Sequence, residues 1–238
     1  MRRPRIHCPN LAENTATLSP EESRHVLDAL RAKTGDEIIL FDGVGGEAEG
    51  VVSRIARKTV TVRIGSVTRR PFDLSRRVTL AVAAVRVHRQ GYLVEKCTEL
   101  GVASLWPIIT ERSVARPESS LVEKWSRRAI EAAKQSGRAW TPQIAPPCSF
   151  NEAVARRGEF DACSLADTGA SLPRFLEFIA ATPAPSSVLV FVGPEGGWTD
   201  AERELAREAD IVRTTLGPTV LRTETAAVAV CAAAVLLE

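Results

Sequence analysis

Two apolar segments near the C-terminus, residues 188–192 (VLVFV) and 211–216 (IVRTTL), each run directly into a Gly-Pro loop. Each loop, Gly193-Pro194 and Gly217-Pro218, then leads toward a helical segment. This pattern constrains the fold more than any other in the chain. In an open α/β sheet, ligands bind beyond the carboxyl ends of the strands, where loops diverge and helix N-termini turn amide N–H groups outward. Two such loops close in sequence predict the walls of one small-molecule pocket. From residue 78 onward, apolar strands alternate with helical patterns, which predicts a parallel sheet covered by helices. The predicted strands are 78–85, 104–110 and 160–166 ahead of the two already named, and the predicted helices include 121–136 and 172–180.

Residues 1–70 read differently. Ser19-Pro20-Glu21-Glu22 is a capping box with proline at the first helical position, predicting a helix through Leu30. Short β-branched runs at 37–41, 48–55 and 59–67 then predict strands and hairpins. Gly43-Val44-Gly45-Gly46-Glu47-Ala48 matches the dinucleotide fingerprint G-x-G-x-x-A in letters only. A strand follows it rather than a helix, so the glycines are assigned to a turn and the oxidoreductase reading is set aside. Residues 71–77 form the expected linker, and 78–238 the second domain.

Composition excludes several classes. Apolar residues at 45% and charged residues at 25% are ordinary globular values, so disorder is not expected. The N-terminus MRRPRIHC has no apolar run behind its basic residues, and the run 226–237 is too short for a bilayer span. Five cysteines without a C-x-x-C pattern suit a reducing compartment, so a cytoplasmic location is expected. Three histidines without paired spacing give no basis for a metal site. No P-loop pattern occurs. Residues 1–78 hold 14 Lys+Arg against 10 Asp+Glu, an excess of +4 that suits either a solvated surface or a phosphate backbone.

Chemistry concentrates in three stretches. Gly193-Pro194-Glu195-Gly196-Gly197 permits close backbone approach to a ligand, or serves only a tight strand-to-helix turn. Leu221-Arg222-Thr223-Glu224-Thr225 opens a last helix that is apolar nearly all round, which predicts burial or a subunit interface. Ordinary capping, with Thr223 as N-cap and Glu224 in the first turn, accounts for Glu224 but not for Arg222. Glu95-Lys96-Cys97-Thr98-Glu99 reads as a surface-paired helix, and Cys97 has no assignable histidine partner.

Taken together, EKCTELGV (95–102), EAAKQSGR (131–138), FVGPEGGWTDAE (191–202) and LGPTVLRTETAAVAV (216–230) resemble the 16S rRNA (uracil-N3)-methyltransferases, the RsmE family of the SPOUT class. HVLDALRAKTGDEIILFDG (25–43) is similar to that family's PUA-like domain, so the resemblance spans almost the whole chain. It implies an α/β protein with an N-terminal β-rich PUA-like barrel and a C-terminal parallel-sheet domain ending in a trefoil knot. It implies S-adenosylmethionine held by Leu165, Gly193, Glu195, Gly196, Gly197, Leu216, Gly217, Val220, Leu221, Thr225 and Ala226. The reaction implied is methyl transfer to N3 of a uridine in 16S rRNA of the small subunit. Arg222 would stabilise the developing anion and Glu224 would accept the proton, while Arg2, Arg3, Arg5, Arg24 and Arg31 would hold phosphates. A homodimer through the last helix is implied as well. Two alternatives remain open: a ribose-methylating relative, and an RNA-binding assembly factor that kept the fold but not the cofactor.

Overall fold

The computed structural model describes residues 3–11, 14–169, 171–184 and 186–237. By its internal contacts the chain forms two compact units, residues 1–73 with 130–141, and 74–129 with 142–238. Residues 130–141, which fall inside the second domain by sequence, therefore group with the first unit.

The first unit is built on a six-stranded sheet. Its strands are β1 (Arg5–His7), β2 (Asn14–Thr17), β3 (Glu37–Phe41), β4 (Gly46–Ala56), β5 (Thr59–Ile64) and β6 (Thr68–Arg69). They lie in the order β1-β3-β4-β5-β2, with β6 on β4. All pairs are antiparallel except β1 with β3. Alternating residues of β3, β4 and β5 (Ile38, Leu40, Val52, Val60, Val62) point into one core with Ile6, Leu18 and Val26. The predicted first helix is broken: α1 covers Pro20–Arg24, and a π-helical turn, His25–Ala29, follows. Its start is as expected, with the Ser19 hydroxyl accepting the Glu22 amide at 3.2 Å. The glycines at 43–46 do serve a turn. The Asp42 carboxylate accepts the amides of Val44 and Gly46 at 2.8 Å each. Gly45, at φ +95°, lies so close to the Arg70 carbonyl that a Cβ would come within 2.6 Å of it.

The second unit is a seven-stranded, all-parallel sheet. The strands are β7 (Arg76–Ala83), β8 (Ser104–Ile109), β9 (Gln143–Ile144), β10 (Cys148–Ser149), β11 (Ala162–Ala166), β12 (Ser186–Val192) and β13 (Val212–Thr214). Their order is β10-β8-β7-β12-β11-β13, with β9 also on β8. Its α-helices are α2 (Val87–Glu99), the first part of α3 (Leu121–Ser136, of which 130–136 group with the first unit), α4 (Phe150–Ala155), α5 (Phe175–Ala181), α6 (Asp200–Glu208) and α7 (Thr223–Leu236). β12 is central and shows how both faces are covered. Val188, Val190 and Val192 face the core built with α2, α5 and α7, while Leu189 and Phe191 face the core built with α4 and α6. β12 enters between β7 and β11, and this reversal of strand order creates a crevice at the carboxyl ends of the strands.

α7 is less buried than its composition suggests. Ala226, Ala227, Val230, Cys231 and Ala234 are buried, whereas Val228, Ala229, Ala232 and Val235 are half-buried and Leu236 is exposed. The five cysteines are free thiols. Among the described residues, no helix is long and apolar enough to cross a membrane.

Candidate functional site

A cavity of ≈280 Å³ opens in that crevice. Three strand ends supply its walls: Ala166, Asp167 and Thr168 beyond β11; Val192 to Trp198 at and beyond β12; and Thr215 to Leu221, apart from Pro218, beyond β13. Thr223 and Ala226 from the head of α7, and Arg203 from α6, close it.

The loop after β12 is shaped by close packing. A Cβ on Gly193 would stand 2.8 Å from the Trp198 ring, so only glycine fits there without displacing the indole. Trp198 is itself 1% exposed, and its Nε1–H donates to the Ala166 carbonyl at 2.8 Å, tying the β11 and β12 loops together. The Thr199 hydroxyl accepts the Glu202 amide and the Glu202 carboxylate accepts the Thr199 amide, a reciprocal capping box that starts α6. On the other side Gly217 takes φ +142°, so bare backbone lines the cavity there.

Asp167 anchors the third wall. Its carboxylate accepts Arg203 Nε at 2.9 Å, Arg213 Nη2 at 2.7 Å and the Thr168 amide at 2.8 Å. Burial works against the charged form, but these hydrogen bonds outweigh it and hold the carboxyl below the usual aspartate range. The stability it contributes is present above the unfolded aspartate value, and is lost as pH falls through the lowered folded value.

The cavity brings together Gly193, Glu195, Gly196, Gly197, Leu216, Gly217, Val220, Leu221 and Ala226. It does not include four other candidates. Leu165 is fully buried in the core behind the sheet, and Thr225 is exposed away from the cavity lining. Arg222 is exposed, lying in sequence between two lining residues. Glu224 is only 3% exposed and accepts Arg89 Nη1 at 2.9 Å, so its carboxylate is held by α2. Thr223 is not the N-cap expected from sequence. Arg222 occupies that position, and the Thr223 hydroxyl instead donates to the Gly193 carbonyl at 2.9 Å, pinning α7 to the β12 loop. Sequence reading missed Asp167, Thr168, Thr215, Trp198 and Arg203. The first two follow an apolar strand as the Gly-Pro loops do, and that same strand-end rule would have found them.

The arginines of the first unit are placed unevenly. Arg3 pairs with Glu37 at 2.8 Å and Glu49 at 2.7 Å. The Arg5 side chain is buried, pairs with Glu47 at 2.6 Å and donates to the Arg138 carbonyl at 3.0 Å. Arg24 and Arg31 are exposed. Arg2 lies outside the described residues. Among the described residues, no group of three or more His, Cys, Asp or Glu is placed to hold a metal ion.

Residues 73–235 match an RNA methyltransferase domain, and residues 18–65 match an RNA methyltransferase PUA domain. Ribosomal RNA small subunit methyltransferase E of Synechocystis sp. is 32% identical over 91% of this chain and 71% of its own length. The protein of that name from Bacillus subtilis is 32% identical over 89% of this chain and 86% of its own. Among solved structures, a methyltransferase of Legionella pneumophila with bound S-adenosylmethionine superposes with a TM-score of 0.88 at 30% identity, covering 98% of this chain and 97% of that one. A ribosomal RNA small subunit methyltransferase E from Neisseria gonorrhoeae, also bound to S-adenosylmethionine, gives 0.84 at 29% identity, covering 98% and 96%. Domain match, sequence identity across most of the chain and fold agree: this chain belongs to the ribosomal RNA small subunit methyltransferase E family.

Proposed function

We propose that this chain transfers a methyl group from S-adenosylmethionine to N3 of a uridine in 16S rRNA of the small ribosomal subunit. The observation that carries this reading is the cavity at the ends of β11, β12 and β13. It combines bare glycine backbone, apolar wall from Val192, Leu216 and Leu221, and polar groups from Thr168, Thr215 and Thr219. Such a mixture suits a cofactor with a flat purine, a hydroxylated sugar and a charged tail. Gly193, Gly196, Gly197, Leu216, Gly217, Val220, Leu221 and Ala226, with the backbone of Glu195, would hold it, and Asp167 and Thr168 are added from the loop after β11. When bound, the cofactor supplies an electrophilic methyl group on a positively charged sulfur.

The remaining work falls to the chain's own residues. Loss of the imide proton leaves negative charge on the uracil oxygens, and Arg222, exposed and next in sequence to the lining residue Leu221, would offset it. Glu224, buried on Arg89, is assigned to anchoring the head of α7 rather than to proton transfer. The base must leave its stack to enter. We assign residues 1–70 to RNA binding, 71–77 to the linker and 78–238 to methyl transfer. Arg24 and Arg31, with Arg3 at the sheet edge, would contact phosphates. The same reading includes a trefoil knot formed by the C-terminal segment, a cytoplasmic location, and a homodimer closed over Val228, Ala232, Val235 and Leu236. The 80% exposure of Leu236 is what favours an apolar partner there.

Calorimetric titration with S-adenosylmethionine tests the site. Gly193→Ala drives a Cβ into Trp198, and cofactor affinity is expected to fall by about tenfold or more, which is about 1.4 kcal/mol. Wild-type affinity in a correctly folded Gly193→Ala protein would contradict the cavity assignment.

A further inference from the structure

A second, much smaller cavity of ≈10 Å³ adjoins the first and shares Pro194, Glu195 and Thr223 with it. Its other walls include Val85 and Arg86, which follow β7, and Val114, which follows β8. Its walls are apolar at Ala84, Val85, Val114 and Pro194, and polar at Arg86, Glu195 and Thr223. Val114 is 63% exposed, so the rim of this notch offers apolar surface against which a flat ring can lie. Glu195 is the one carboxylate that lines both cavities. It is exposed, and no described side chain pairs with it. Arg86 is likewise exposed, with no ion pair among the described residues. The carboxylate the sequence put forward for proton transfer, Glu224, lines neither cavity and is committed to Arg89.

From this arrangement we propose that the notch receives the Watson–Crick edge of the target uracil, with Glu195 accepting the N3 proton and Arg86 donating to an adjacent carbonyl oxygen. The proposal rests on the methyltransferase reading and identifies, from this chain's own side chains, which base the site selects. Uracil presents an N–H between two carbonyl oxygens on that edge. Cytosine presents a lone pair at N3, which a carboxylate repels. A donor flanked by acceptors therefore meets an acceptor flanked by a cation. In the transfer, the N3–H bond breaks and its proton passes to a Glu195 carboxylate oxygen. The electron pair left on N3 forms the bond to the methyl carbon, whose bond to the sulfonium sulfur breaks with that pair remaining on sulfur. Arg86 and Arg222 offset the charge on the uracil oxygens as the proton leaves.

The test is Glu195→Gln, which keeps shape and removes the base. Cofactor affinity by calorimetry is expected to stay within about threefold of wild type, while single-turnover methyl transfer to unmethylated small subunits falls by about a hundredfold or more. Subunits carrying 5-fluorouridine, whose imide is more acidic, should restore the variant's rate more than they raise that of the wild type. A fall in methyl transfer unaccompanied by that differential response would overturn the proposal, as would a wild-type rate in Glu195→Gln. Loss of cofactor binding in the variant would also overturn it, by placing Glu195 on the cofactor instead. Failure of the wild-type enzyme itself to form 3-methyluridine would refute the reading beneath the proposal, an outcome separate from all of these.

Discussion

Trp198→Ala is expected to lower the free energy of unfolding by about 3–5 kcal/mol and to abolish measurable cofactor binding. The indole is 1% exposed, lies 5.0 Å from the Phe150 ring centroid to centroid, and fills the space that Gly193 leaves by lacking a side chain. Its removal opens a cavity where the β12 loop meets α6. It also orphans the Ala166 carbonyl, which the indole N–H now satisfies. Trp198→Phe separates the two contributions, since it keeps most of the packing and loses only the hydrogen bond, at a cost of about 1–3 kcal/mol. Urea unfolding followed by circular dichroism measures both. Equal stability of Trp198→Ala and wild type would mean that the loop is not held by this ring.

Lys134→Met should be comparably damaging in the first unit. Lys134 Nζ lies 2.5 Å from Glu22 Oε1, with the two side chains 5% and 9% exposed. Removing the cation leaves a carboxylate in a site that water barely reaches, at a cost of about 3–5 kcal/mol. Burial already pushes the Glu22 carboxyl up, with Lys134 pulling it back, so the variant should raise it further. A carboxyl whose folded value lies above its unfolded value binds its proton more tightly when folded. Stability is then lost as pH rises through the folded value and regained on acidification toward about 4.5. The deficit of Lys134→Met relative to wild type should therefore be largest near neutral pH and shrink as pH falls. Adding Glu22→Leu should recover much of it at neutral pH, because both charges are then gone. A deficit independent of pH would contradict this account of the pair.

How far the sequence foretold these features depends on the range of the interaction behind each. The paired Gly-Pro loops, the α6 capping box and the turn at Asp42 are local devices, with all partners within a few residues, and each reads directly from the chain. Strand order is not local. Nothing in the apolar run at 188–192 says that it enters between β7 and β11, yet that placement creates the crevice. The same limit applies to Glu224, whose place at a helix head is local while its partner Arg89 lies on α2. Thr223 was misread for a related reason, because a threonine at a helix start has a local role available and instead takes the Gly193 carbonyl. Arg5 reads as a phosphate ligand by charge alone, but its side chain is buried against Glu47 of β4. Asp167 was within reach of the strand-end rule, whereas its arginine partners on α6 and β13 were not.

The most direct test of the central claim is methyl transfer from labelled S-adenosylmethionine to small ribosomal subunits that lack native modification, followed by nucleoside analysis of the 16S rRNA. The account predicts label in 3-methyluridine at a single position. Label on a ribose or on another base, or no transfer by a protein that binds the cofactor, would contradict it.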